Sequence, residues 1–321
     1  MIELRQVTKR FGARLAVDDV TLTVPRGEIF GLLGHNGAGK STAIGMMLGQ
    51  VWPTAGTLRL CGYDVQRQRR QALAKVGAIF ETPAFYEYLS GARNLEIYCQ
   101  YTAPVSRERV REVVDWMGLG DRIDSRVRTY SHGMRARLAL AQALLPRPEL
   151  LILDEPADGL DPEGIHELRL TIQRLHKELG LTLLLSSHLL GEVEQLCTRI
   201  AVLRQGRMVF EGPLATAKQS RNWVRLVTDD FAAATRDLEA AGLIGGARDG
   251  RYVALAPGRA TCDLARRLVE TGRPVHELAR EEQTLESFYL ELMRTGEAET
   301  KRNGKEPLSP PKSETRNTKA K

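Results

Sequence analysis

Two segments carry residue types whose spacing suits chemistry on phosphate. The stretch "GLLGHNGAGKST", residues 31–42, contains the pattern G-x-x-x-x-G-K-[ST] at Gly34, Gly39, Lys40 and Ser41. An apolar run, "EIFGLLG" at 28–34, precedes it and a helical pattern, "KSTAIGMMLG", follows. In that context the glycines let backbone N–H groups turn inward around phosphate oxygens, and the helix presents its positive end to them. Lys40 then reaches the β- and γ-phosphates, and the Ser41 hydroxyl ligates Mg²⁺. The alternative, a Gly-rich turn that binds nothing, leaves the completeness of the pattern unexplained. Gly34, His35, Asn36, Gly37, Ala38, Gly39, Lys40, Ser41 and Thr42 are therefore expected to hold a nucleotide.

The second segment is "LLILDEP". Leu150 to Leu153 read as a buried strand that delivers Asp154 and Glu155 at its tip. Asp154 suits the Mg²⁺ shell. Glu155 is placed to accept a proton from water attacking the γ-phosphate, so that one acid faces metal and the other faces water. A pair of surface acids is the bland alternative. Burial costs make four hydrophobes running straight into two carboxylates unusual without a cation. A third segment, "TYSHGMRARLALAQALL" at 129–145, puts Ser131, His132 and Gly133 at a helix entry. Ser beside His reads either as a nucleophile with its base or as a pair of phosphate holders. A hydrolase needs a base and an orienting acid placed around the serine, and an adjacent histidine is badly aimed for that.

These groups must be held by a scaffold. Short apolar runs at 28–34, 150–155, 182–188 ("TLLLSSH") and 199–206 ("RIAVLRQG") alternate with helical patterns and read as buried parallel strands of an α/β sheet. His188 ends the third of these, on the edge shared with Asp154 and Glu155, where ligands of open α/β sheets gather. Between about 86 and 145 the pattern is helical. Val110, Val113, Val114 and Met117 fall on one face, and Ser106 is available as an N-cap. Beyond residue 220 the order is strand, helix, two short strands, helix, strand, a small α+β module of the split βαβ type.

Composition narrows the class. The 321 residues are 42% hydrophobic and 27% charged, ordinary for a globular chain. The net charge is +6, but residues 301–321 hold seven basic and two acidic residues, so the rest carries only about +1. The body is thus nearly neutral, which argues against nucleic acid as a partner. The stretch 297–321 reads as a disordered, solvated basic extension, since charges this sparse make a weak patch for anionic lipid. No run of about 18 apolar residues and no signal-peptide core is evident. Cys61, Cys99, Cys197 and Cys262 are scattered without a CxxC pair, as expected in a reducing compartment.

The kind of nucleotide protein comes from a resemblance. "YSHGMRARLALAQALL", which opens 23 residues before Asp154 when counted from Ser131, resembles the signature motif of ATP-binding cassette (ABC) ATPases. "GLDP" at 159–162, with Asp161, resembles their D-loop, and "LLLSSH" their switch histidine, His188. Phe11 matches the aromatic that stacks on adenine. The resemblance covers residues 1–215, in the family's order. It implies a P-loop NTPase cassette: a RecA-like core, an antiparallel β subdomain and a helical subdomain at about 86–145, here followed by the α+β module at 220–295. It also implies that two cassettes, here a homodimer, face head to tail. Ser131 and the Gly133 amide then donate to a γ-phosphate bound on the other subunit, while His188 contacts the γ-phosphate and holds the catalytic water and Glu155.

Two positions depart from the family. Tyr130-Ser131-His132-Gly133-Met134 stands where Leu-Ser-Gly-Gly-Gln is usual, and Glu81 fills the place of a glutamine that ligates Mg²⁺ or positions water. Both variants resemble those of drug-resistance and bacitracin-type (ABC-2) exporters, as does the stretch "EEQTLESFYLELM". The function implied is an ATP-hydrolysing subunit, peripheral on the cytoplasmic face of the cell membrane. It would energise export of a drug, peptide antibiotic, lipid or polysaccharide through separate integral membrane permease subunits. "PAFYEYL" at 83–89 is either a socket for a coupling helix of that partner or packing within the helical insert. The alternative is a non-transport cassette acting on ribosomes or DNA; a single P-loop and the lack of a long coiled coil disfavour it. A P-loop phosphotransferase lacks an evident acceptor site.

Overall fold

A computed structural model describes residues 1–80, 83–102, 105–218, 223–280 and 284–293. Glu81 and the basic stretch 297–321 lie outside the described residues. The chain opens with β1 (Ile2–Phe11), β2 (Arg14–Val24), β3 (Ile29–Leu33), α1 (Lys40–Met47), β4 (Ala55–Leu60), β5 (Tyr63–Asp64), α2 (Arg69–Leu73) and β6 (Val76–Ile79). Three helices follow, α3 (Gly91–Thr102), α4 (Arg107–Trp116) and α5 (His132–Leu144). The chain then returns through β7 (Leu150–Leu153), α6 (Pro162–Leu179), β8 (Thr182–Ser187), α7 (Leu190–Leu196), β9 (Arg199–Arg204), β10 (Arg207–Pro213) and α8 (Leu214–Ala217). The remaining elements are β11 (Trp223–Val227), α9 (Phe231–Ala240), β12 (Ile244–Arg248), β13 (Tyr252–Leu255), α10 (Thr261–Glu270) and β14 (Glu277–Arg280).

The central sheet has the order β10-β9-β3-β8-β7-β6, with every neighbour parallel except the β10 edge. All residues of β3, β7 and β8 are buried, because both faces of the sheet are covered. On one face α5, α6 and α7 contribute Leu138, Leu144, Leu168, Ile172 and Val193 to a core shared with Leu151, Leu153 and Leu183. On the other, α1 and an antiparallel sheet of order β2-β1-β4-β5 bury Ile2, Leu4, Val20, Leu22, Ile44 and Met47 against Phe30, Leu32, Ile152 and Leu184. The antiparallel strands alternate buried and exposed positions, since only one of their faces meets the core. Among the described residues no helix is long and apolar enough to cross a membrane.

The helical segment between β6 and β7 follows the apolar periodicity. Ser106 caps α4, its hydroxyl accepting from the Arg109 N–H at 3.2 Å, and Val113, Val114 and Met117 are buried. Arg109 is buried too. Its guanidinium donates to the carbonyls of Leu144 (2.5 Å) and Leu145 (3.5 Å), the unsatisfied end of α5, and pairs with Glu112 at 2.8 Å. The far end of α5 begins at Ser131, so this contact fixes the helix that presents the Ser131 tip.

The last sheet is wholly antiparallel with order β12-β13-β11-β14, and β13 lies between β11 and β12 as a split βαβ arrangement requires. Its core of Val224, Leu226, Leu238, Val253, Leu264 and Leu268 is separate from the two larger ones. Residues 285–293 then form a helix that returns to the core under the central sheet, where Leu285 is fully buried.

Arg109→Met removes the donors from the α5 carbonyls while keeping the aliphatic stem. Thermal melts followed by circular dichroism are expected to show a loss of about 1–3 kcal/mol, the worth of hydrogen bonds from a charged donor to buried carbonyls. Glu112→Gln, which cuts only a half-exposed ion pair, is expected to cost well under that.

Candidate nucleotide site

The loop of residues 34–39 leaves the carboxyl end of β3, between β8 and β9, and enters α1. Gly39 caps that helix with φ of 107°. A Cβ there would sit 2.6 Å from the Ala16 carbonyl oxygen, so no side chain fits. The Ala38 N–H donates to the His35 carbonyl at 3.0 Å and closes the turn, while the Gly206 N–H donates to the Ala38 carbonyl at 2.9 Å and ties the loop to the β9–β10 turn. His35, Asn36, Gly37 and Ser41 are exposed, and Thr42 is half-buried. Lys40, by contrast, is only 5% exposed. Its ammonium donates to the Gly34 carbonyl at 2.7 Å and pairs with Glu155 Oε1 at 3.1 Å.

The acids stand at the tip of β7. Asp154 is buried and accepts from the Ser186 hydroxyl through Oδ1. The same Ser186 oxygen accepts the Glu155 N–H at 2.9 Å. Glu155 holds φ of 47°, a left-handed conformation that costs a non-glycine residue about 1–2 kcal/mol. Such outliers cluster at functional sites. The twist sends its side chain between two partners: Oε1 meets Lys40, and Oε2 lies 2.8 Å from His188 Nδ1 and accepts the His188 N–H at 3.2 Å. Burial pushes the Glu155 carboxyl up, but the hydrogen bonds from His188 and Lys40 and the charge of Lys40 outweigh it and hold the group below its ordinary value. It is therefore a carboxylate at neutral pH.

Ser41, Asp154 and Glu155 open onto one cavity of about 350 Å³, which His132, Arg135 and Asp158 also line. A hydroxyl and a buried carboxylate facing the same space are the hard oxygen donors that Mg²⁺ takes, with phosphates and water completing its shell. Ser131, Gly133 and Asp161 lie elsewhere. They line a second depression of about 420 Å³ with Arg137 and Glu163, and no residue of 34–42 borders it. The Ser131 hydroxyl caps α5, accepting from the Met134 N–H at 3.2 Å, and Asp161 caps α6 through the Gly164 N–H at 2.9 Å. Ser131 and Ser41 thus line different spaces, with His132 bordering both. Phe11, at the end of β1, is 49% exposed with the Lys9 ammonium 4.7 Å from its ring centre, so it is not a core residue.

Sequence reasoning missed Ser186, whose hydroxyl joins Asp154 to the Glu155 backbone. The available signal was two serines ending an otherwise apolar strand. His132, which the sequence places beside Ser131, lines the cavity of Asp154 and Glu155. In "PAFYEYL", Tyr86 and Tyr88 are exposed and meet edge-on at 6.1 Å, while Phe85 packs against the core.

Comparison with known proteins agrees with this geometry. Residues 17–158 match the family profile described as ABC transporter. The chain is 46% identical over 209 residues to the uncharacterized ABC transporter ATP-binding protein YhcH of Bacillus subtilis, covering 65% of this chain and 68% of that one. It is 36% identical over 299 residues to the bacitracin transport ATP-binding protein BcrA of Enterococcus faecalis, covering 92% and 97%. A Nod factor export ATP-binding protein I of Burkholderia lata is 39% identical over 216 residues, covering 66% and 70%. Among solved structures, an ATP binding subunit of an ABC transporter superposes with a TM-score of 0.60 at 29% identity, over 68% of this chain and 92% of the other. The dimeric cassette MJ0796 shares the fold with a TM-score of 0.59 at 24% identity, over 67% and 99%. A glycine-rich loop opening a helix, paired acids at a strand tip and these relatives converge: the chain belongs to the ABC transporter family, as an ATP-binding, ATP-hydrolysing subunit.

Proposed function

We propose that two copies of this chain face each other head to tail and clasp ATP between the phosphate loop of one and the Ser131 helix tip of the other. Closure and reopening of the pair then drive export through separate integral membrane permease subunits, with this subunit peripheral on the cytoplasmic face. The observation that carries the reading is the Glu155 carboxylate, gripped between Lys40 and His188 beside Asp154. Residues 1–215 act as the nucleotide-binding domain, with 86–145 as its helical subdomain and 220–295 as an appended module. The exposed Phe11 ring is free to stack on adenine. The depression lined by Ser131 and Gly133 has no residue of 34–42 in its wall, which suits a helix tip offered to the nucleotide of a second chain. The relatives named for bacitracin transport and Nod factor export support an exported cargo. The half-exposed "PAFYEYL" aromatics suit a permease contact.

The residues divide the chemistry as follows. Lys40 donates to the Gly34 carbonyl and pairs with Glu155. Phosphates entering the loop offer Lys40 stronger acceptors. As its ammonium turns to them, one cause of the low Glu155 basicity is withdrawn, and Glu155 becomes a better base when substrate is present. His188 keeps Oε2 oriented. Glu155 takes the proton as the water oxygen bonds to the γ-phosphorus and the bond from that phosphorus to the β,γ-bridging oxygen breaks, leaving ADP and phosphate. The loop amides and Lys40 hold the charge that gathers on the bridging oxygen. Ser41 and Asp154, with Glu81 in the place of the family's glutamine, would hold Mg²⁺, which would supply neutralisation of phosphate charge.

Glu155→Gln is expected to bind ATP yet turn it over about a hundredfold more slowly, the worth of a general base; near-normal steady-state hydrolysis would remove Glu155 from that role. Pairing across chains is tested by complementation. Lys40→Ala and Ser131→Arg should each hydrolyse little ATP alone, and mixing the two purified variants should restore hydrolysis through the one intact composite site. A mixture no more active than its components would show that ATP is not held between chains.

A further inference from the structure

The stretch "EEQTLESFYLELM" has no part in the chemistry above, yet its described residues, 284–293, are bound firmly to the catalytic core. Leu285 is fully buried in the cluster under the central sheet, with Phe288, Tyr289, Leu292 and Met293 packed against it. The Phe288 ring meets Phe210 of β10 edge-on, centroids 4.8 Å apart at 77°. Arg204, the last residue of β9, donates from Nη1 to the carbonyls of Leu292 and Met293 at 3.1 and 3.3 Å. Those carbonyls lie in the last turn described of the helix, where a cation is favoured.

What Arg204 sits between gives the grip its meaning. One residue before it, the Leu203 carbonyl abuts the start of the phosphate loop: a Cβ on Gly34 would lie 2.7 Å from that oxygen. Two residues after it, the Gly206 N–H donates to the Ala38 carbonyl at 2.9 Å. The turn between them is tight, with left-handed backbone at Gln205 and Gly206. Burial pushes the Tyr289 phenol up, and the nearby His35 backbone offsets part of that rise. Phosphate binding by backbone amides depends on their placement to within a fraction of an ångström, so the wall behind the loop matters as much as the loop.

We propose that the helix over 285–293 is a positioning element for the phosphate loop: by gripping Arg204 and Phe210 it fixes the β9–β10 turn against Gly34 and Ala38, and ATP affinity depends on it. The inference rests on the reading of residues 34–42 as the ATP cradle. Arg204 is a positioning residue and does not touch ATP. Its effect falls on nucleotide binding, whereas the proton transfer at Glu155 proceeds once the site is filled.

The test uses the full chain, with a fluorescent N-methylanthraniloyl ATP for affinity and steady-state hydrolysis for KM and kcat. Arg204→Ala and Phe288→Ala are each expected to raise the Kd and KM about three- to tenfold, the worth of one lost hydrogen bond or ring contact, with kcat altered less than about twofold. Arg204→Lys should recover most of the affinity. The double variant should be no weaker than the weaker single one, because both break the same attachment. Melting curves without nucleotide verify that each variant is folded, and Phe288→Leu replaces Phe288→Ala if the latter melts below the assay temperature. Singles that bind within twofold of the parent protein, a kcat that falls while KM holds, or an Arg204→Ala effect that Phe288 substitution fails to reproduce would each overturn the proposal. Lys40→Ala serves as the separate control. If it still binds the analogue normally, the cradle reading itself fails; if it alone loses binding, only the positioning role does.

Discussion

The Glu155 carboxylate is drawn from both sides, by a buried ammonium at 3.1 Å and by an imidazole nitrogen at 2.8 Å. Neither charge would be tolerable alone. A buried Lys40 without an acceptor pays desolvation with nothing to offset it, and removing one member of such a pair is far costlier than never having built it. The three groups come from three different strand ends, so the sheet must hold β3, β7 and β8 in register before any of them is satisfied. Parallel pairing of Ile29 to Leu33 with Leu183 to Ser187, and of Leu150 to Leu153 with Thr182 to Leu185, does this. The buried strands are what let the edge carry charge, because their burial is secured on both faces of the sheet.

The edge is also strained where it works. Glu155 leaves its strand in a left-handed conformation, and the Ser186 hydroxyl spans from the Asp154 carboxylate to the Glu155 N–H. One serine therefore ties the Asp154 carboxylate to the Glu155 backbone, while the Glu155 side chain turns to Lys40. Burial works against the charge on Glu155, and the hydrogen bonds from His188 and Lys40 outweigh it and keep the group ionised.

Much of this was legible from residue order alone. The glycine spacing around Lys40, the apolar run into Asp154 and Glu155, and the histidine closing "LLLSSH" each specify a local structure, because backbone freedom, burial and strand direction act within a few residues. The β11 to β14 module was legible for the same reason, its strand and helix periods alternating cleanly. Relations between distant segments were not. Nothing in "LLLSSH" says that Ser186 rather than Ser187 faces Asp154; that depends on the register of β8 against β7. Nothing near Phe11 says that its ring stays exposed. The docking of residues 285–293 is invisible in the same way, since amphipathic spacing reveals a sticky face without naming what it sticks to.

The small antiparallel module enters the chain between two segments seated in one core. Before it, Leu214 and Ala217 of α8 are buried in the cluster under the central sheet; after it, Leu285 is buried in the same cluster. A body joined at both ends in this manner is checked from drifting away at either seam, and the ordering cost of closing so long a loop grows only slowly with its length. One of those seams is the helix that holds Arg204, so the module shares its mounting with the wall behind the phosphate loop.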